Sequence, residues 1–126
     1  MQLEIHLARP LPEDMSEWLD QPDNECWDED HGAVVFQYET AEDDGEHICT
    51  ALNNRDVAFI AHQYGTPGET GRRVTFAAFG RMTECDAIGV DFRPAVPARH
   101  PNMLDAVRIW NHYASVHQVV YGILPT

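Results

Sequence analysis

The chain predicts an α+β domain: a mainly antiparallel sheet of four to six strands, with a short N-terminal helix and a longer C-terminal helix packed on one face. Three observations carry this. Residues 2–8 alternate, Leu3, Ile5 and Leu7 against Gln2, Glu4 and His6, which is the period of a half-buried strand. Runs rich in β-branched and aromatic residues recur at 33–39, 57–63 and 74–79, separated by turn residues. One strongly helical stretch follows a proline-rich crossing near the end of the chain. With 126 residues, 44% of them apolar, the chain is the size of one domain around one core and shows no repeat or linker.

Taken in order, Arg9-Pro10 ends the first strand. Pro12 suits a first helical position, and Met15, Trp18 and Leu19 at i, i+3, i+4 give a short apolar stripe. From Asp20 to Gly32 nothing is periodic, and an acidic loop is expected in which Trp27 is either a plug on the core or an exposed anchor. AVVFQYE at 33–39 reads as a strand, Asp44-Gly45 as a hairpin turn and 46–52 as the returning strand, although Ile48, Ala51 and Leu52 also fit two turns of helix. VAFIAHQ at 57–63 is apolar on both faces, as in a central strand covered on both sides. A Gly/Pro loop at 66–71 leads to the strand of Val74, Phe76 and Ala78, and AIGVDF at 87–92 is a possible edge segment. Pro94, Pro97 and Pro101 forbid regular helix in the crossing. Asn102 resembles an N-cap with Asp105 at N3, and Met103, Val107, Trp110 and Ala114 mark a helix over 103–117. The final VVYGIL would return as a short strand.

The charge is distributed unevenly. Glu13 to Glu46 holds 14 of the 21 acidic residues and no Lys or Arg. Residues 1–50 carry 15 acids and one Arg, a net −14, whereas residues 51–126 carry six acids and seven Arg, a net +1. A solvent-driven excess would coat both halves; this pattern makes a polar field with one strongly negative region. Nucleic acid and anionic lipid would be repelled by it.

Three cysteines in no paired spacing, Cys26, Cys49 and Cys85, suit reduced thiols, and no signal sequence or membrane-spanning run is evident, so a cytoplasmic location is expected. Seven histidines invite a metal or catalytic reading, but no HExxH or CxxC is present, and His112 and His117 lie on different sides of a helix. His62 on its apolar strand reads as a hydrogen-bonded core residue, and His6, His31, His47 and His100 as surface or loop residues. The acidic loops lack the EF-hand pattern, and Gly65, Gly68 and Gly71 lack the Lys and helix of a P-loop. No catalytic residue, metal or cofactor is assigned from the sequence.

The function expected from these residues is a small non-enzymatic inhibitor. Its acidic belt would occupy the basic groove of a nucleic-acid-handling protein, such as a nuclease, a CRISPR effector or a toxin. Anti-CRISPR and other phage anti-defence proteins, and toxin immunity proteins, are comparable in size and charge. The belt residues are Glu13, Asp14, Glu17, Asp20, Trp27, Asp28, Glu29, Asp30, Glu42, Asp43, Asp44 and Glu46. The alternative is a small hydrolase or a ligand- or metal-binding domain using acids and histidines that folding brings together.

Overall fold

Strand β1 (Leu3–Leu7) lies inside the sheet, its Leu3, Ile5 and Leu7 fully buried and its Glu4 and His6 half-buried, in the alternation that its sequence dictates. The computed structural model describes residues 2–39, 45–64, 71–89, 91–95 and 103–125. In it β1 is joined by β2 (Asn24–Trp27), β3 (Val34–Tyr38), β4 (Phe59–Gln63), β5 (Arg73–Ala78), β6 (Arg81–Ile88) and β7 (Arg93–Pro94). They form one antiparallel sheet in the order β2-β3-β1-β4-β5-β6-β7. The seven strands among the described residues exceed the expected four to six because β2 and most of β6 carry too little apolar alternation to be read, and β7 is two residues at a proline.

Helices cover both faces. Helix α1 (Met15–Trp18) and helix α2 (Glu46–Asn54) pack Met15, Ile48, Cys49 and Leu52 on the face of Leu3, Ile5, Leu7 and Phe59. Helix α3 (Met103–Tyr121) covers the other face, setting Tyr113, Val116 and Val120 on Ile60, Val74 and Phe76. The two helices expected on one face therefore lie on opposite ones. Every residue of β4 is buried, as a strand covered on both sides requires. Full burial of a side chain such as Phe59 or Ile60 contributes about 1.5–3 kcal/mol.

Four local expectations are corrected. Residues 46–52 are helix α2, not a returning strand: Gly45, at φ 84°, starts the helix rather than turning a hairpin, and Ile48, Cys49 and Leu52 make its buried stripe. Strand β3 therefore pairs with β1 and β2. Within the expected loop 20–32, Asn24–Trp27 pairs with β3 as an edge strand. Of the expected edge segment 87–92, only Ala87 and Ile88 are strand, as the end of β6, and Gly89, Asp91 and Phe92 lie in the turn before β7. Helix α3 continues to Tyr121 with no returning strand among the described residues, and its buried stripe is Ala106, Tyr113, Val116 and Val120, whereas Val107 is exposed. The larger Tyr113 and the pair Val116 and Val120 outweigh the apolar set chosen from the first turns. The Asn102 cap, the 66–71 loop apart from Gly71 and the hairpin-tip acids Glu42, Asp43 and Asp44 lie outside the described residues.

Between β5 and β6 the chain reverses through Phe79 (φ 58°) and Gly80 (φ 77°), with Ala78 opposite Arg81. Two positive φ values in a two-residue loop suit Asn-Gly and strain a bulky Phe. The Phe79 side chain is 75% exposed, so it returns little packing. Phe79→Asn is therefore expected to stabilise the fold by about 1 kcal/mol, or about 4 °C in Tm. Thermal denaturation checks this, and a lowered Tm would show that the ring has a packing role.

Candidate functional site

The acidic residues gather at the β2 edge. Helix α1 and β2 line a groove of about 470 Å3 whose walls include Glu13, Asp20, Asp23 and Glu25. Glu13, Glu17, Glu25, Glu29, Asp30 and Glu46 are exposed and carry no ion pair to a cation among the described residues. Other members of the predicted belt are engaged within the protein. Asp14 Oδ2 lies 3.8 Å from Arg55 Nη1, and Asp20 Oδ2 lies 2.8 Å from His47 Nε2. The Asp28 Oδ1 accepts hydrogen bonds from the backbone N–H of Asp30 (2.9 Å) and His31 (3.3 Å), and its Oδ2 sits 3.2 Å from His31 Nδ1. Asp28 thus holds its own turn and is not a free contact residue. Trp27 is not a plug: it is 55% exposed, with the Arg9 guanidinium stacked 3.6 Å from its ring centroid.

The opposite end of the sheet order carries arginine. Arg72, Arg73, Arg81 and Arg93 lie on or beside β5, β6 and β7, where Arg73 Nε reaches Glu84 at 2.7 Å and Arg93 pairs with Asp91. The charge asymmetry of the sequence is therefore also an asymmetry across the sheet.

A second constellation faces α3 and was not assembled from the sequence. Glu4 stands directly opposite His62 in the antiparallel pairing of β1 with β4, and His6 is two residues from Glu4 on the same face. The ligand-capable atoms of Glu4, His6 and His62 all lie within 4.8 Å of one another. His6 Nε2 lies 2.7 Å and His62 Nδ1 3.9 Å from Glu4 Oε1, and Gln37 Nε2 donates to Glu4 Oε2 at 3.2 Å. Asn24 Nδ2 in turn donates to Gln37 Oε1 at 2.9 Å. His6, read from the sequence as a surface residue, is half-buried, and its Nδ1 is buried without a hydrogen-bond partner among the described residues.

His62 also lines a cavity of about 270 Å3 with Asp28, His31, Asp91, Arg93, His117 and Tyr121. The His62 ring stacks on Phe92 with centroids 4.4 Å apart and planes 7° apart, which fixes its plane. Tyr121 touches three imidazoles: His117 at 4.6 Å, His31 at 5.4 Å and His6 at 5.6 Å between centroids. His117 Nδ1 bonds the Ile123 carbonyl at 2.7 Å and so must carry a proton, leaving Nε2 as the acceptor of a neutral ring.

Burial sets the protonation states here. Desolvation, with the neighbouring His6 adding to it, holds His62 down to about 3, and desolvation also lowers His117. The hydrogen bond from His6 holds the Glu4 carboxyl below its ordinary value against its own desolvation. At Asp28 desolvation pushes upward, but the hydrogen bonds from His31 and Asp30 together outweigh it and the carboxyl is lowered. Burial raises the Cys26 and Cys85 thiols, Cys85 to about 11, so neither is a ready nucleophile.

The sequence contained one signal for this site: Glu4 and His6 at i, i+2 on a strand, with His62 on a second buried strand. It lacked the pairing of β1 with β4 that joins them. No protein-family model matches the chain, and no curated protein or solved structure matches it. No helix among the described residues is long and apolar enough to cross a membrane.

Proposed function

We propose that the protein is a non-enzymatic binding protein whose acidic sheet edge occupies a basic surface on a nucleic-acid-handling protein. The observation that carries this reading is the segregation of charge across the sheet. Carboxylates without an ion pair among the described residues surround β2 at one edge, where Arg9 on the exposed Trp27 and Arg55 beside Asp14 are the cations described, and Arg72, Arg73, Arg81 and Arg93 lie toward β6 and β7 at the other. A basic groove evolved for phosphate attracts such an edge from a distance, and the exposed Trp27 at the end of β2 supplies an aromatic contact. A nuclease, a CRISPR effector or a toxin has the required chemistry.

The test is a capture from lysate at low salt, eluted by rising salt and identified by mass spectrometry, followed by stopped-flow association with the captured protein. Between about 50 and about 500 mM salt the association rate constant should fall about tenfold or more, with a smaller change in dissociation. Replacing Glu13, Glu17, Glu25, Glu29 and Asp30 with their amides should lower the association rate while leaving folding intact, because exposed charges contribute little to stability. A salt-independent rate would reduce the acidic edge to a solvated face.

The cavity below α3 favours a second reading, a ligand- or metal-binding domain. Its specific support is the convergence of His31, His62, His117, Asp91 and Arg93 on one concave surface.

A further inference from the structure

We propose that Glu4, His6 and His62 form a binding site for one divalent transition-metal ion of the zinc class. The argument rests on donor type, donor placement and support. Two imidazoles and one carboxylate suit zinc and its first-row neighbours, whereas calcium and magnesium require a shell made mostly of oxygen.

Three donors of a tetrahedral zinc ion at about 2.1 Å stand about 3.4 Å apart. The two separations here, 2.7 Å from His6 Nε2 and 3.9 Å from His62 Nδ1 to Glu4 Oε1, bracket that value. Small side-chain rotations would bring all three onto one ion. The backbone is already suited to the task, because the donors come from adjacent strands in fixed register near the centre of the sheet.

Support around the donors is present as well. The chain Asn24 to Gln37 to Glu4 fixes the second carboxylate oxygen, and Phe92 fixes the plane of His62. His62 also borders the cavity, from which a further ligand or water can reach the ion. This site is separate from the acidic edge and does not depend on that reading.

Isothermal titration of the chelator-stripped full chain with zinc tests the proposal. One equivalent should bind at micromolar or tighter affinity, and cobalt should give the visible absorption of a nitrogen- and oxygen-ligated ion. Glu4→Gln and His6→Asn should each weaken zinc binding roughly 100-fold. Gln37→Leu, which removes only the support to Glu4, should weaken it roughly tenfold. His47→Ala, and the variant with the acidic-edge amides, should bind zinc as the unaltered chain does.

Because a variant of the buried cluster can fail to fold, the unaltered chain is also followed by nitrogen-15 NMR of its histidine rings. Zinc should move the imidazole nitrogens of His6 and His62 first. Absence of binding at about 0.1 mM zinc, unchanged affinity in folded Glu4→Gln and His6→Asn, or first shifts at His31, His47 or His117 would each overturn the proposal.

Discussion

Alanine at position 45 is expected to cost the fold about 3 kcal/mol. Gly45 has φ 84°, and a Cβ built on it would lie 2.5 Å from Leu3 Cδ2, a side chain with no exposed surface. The left-handed backbone alone costs a residue with a Cβ about 1–2 kcal/mol, and forcing apart a packed contact costs about 1–3 kcal/mol more. The contact explains why the first turn of α2 can lie so close to β1. Urea denaturation of Gly45→Ala should show a lower midpoint with an unchanged slope. A double-mutant cycle with Leu3→Val, which removes the atom in the way, should return a coupling of about 1 kcal/mol. A Gly45→Ala midpoint equal to that of the parent chain would show that the helix start can shift away from Leu3 at no cost.

Acidification should weaken the metal-free protein well before its carboxylates titrate. His62 falls from 6.5 to about 3 on folding, and His112 and His117 are lowered too, all mainly by desolvation. Between the folded and unfolded values the unfolded chain binds more protons, so stability rises with pH across that window and is lost as pH falls below about 6.5. At about pH 5 His62 alone accounts for a loss of about 2 kcal/mol relative to about pH 7. Glu4 and Asp28 are lowered, so their contributions are kept in this range and disappear only at more acid pH. Urea midpoints of chelator-treated protein at about pH 7, 6 and 5 measure the trend, and His62→Phe should flatten it. Equal midpoints for the parent chain at both ends of the range would mean that Glu4 lets the folded state accept the proton on His62.

The parts of the fold legible in the sequence were those with strong periodicity. Leu3, Ile5 and Leu7 announced β1, the unbroken apolar run of β4 announced a strand covered twice, and Val74, Phe76 and Ala78 announced β5. Strand β2 was hidden because an edge strand flanked by acids needs little apolar alternation: only Cys26 of its four residues is even partly buried. Helix α2 was ambiguous because Ile48 and Leu52 fit an alternating pattern as well as a helical one, and only the burial of Cys49 beside Ile48 decides for the helix. The clustering pointed to the acids that line the groove between α1 and β2, Glu13, Asp20, Asp23 and Glu25, whereas Asp28 lines the cavity on the other face. The Glu4, His6 and His62 cluster was not legible, since a cross-strand neighbour is a property of pairing and no local pattern encodes which strands will pair.

The position of β1 has a consequence for synthesis. It leaves the ribosome before both of its partners, for Leu3 pairs with Tyr38 on one side and Gln63 on the other. One edge of this apolar strand stays open until β3 has been made and the other until β4 has been made, and contacts so distant in sequence form slowly. Most of the segment emerging meanwhile is the acidic one, whose like charges oppose association with other growing chains until β4 arrives to cover the second edge of β1.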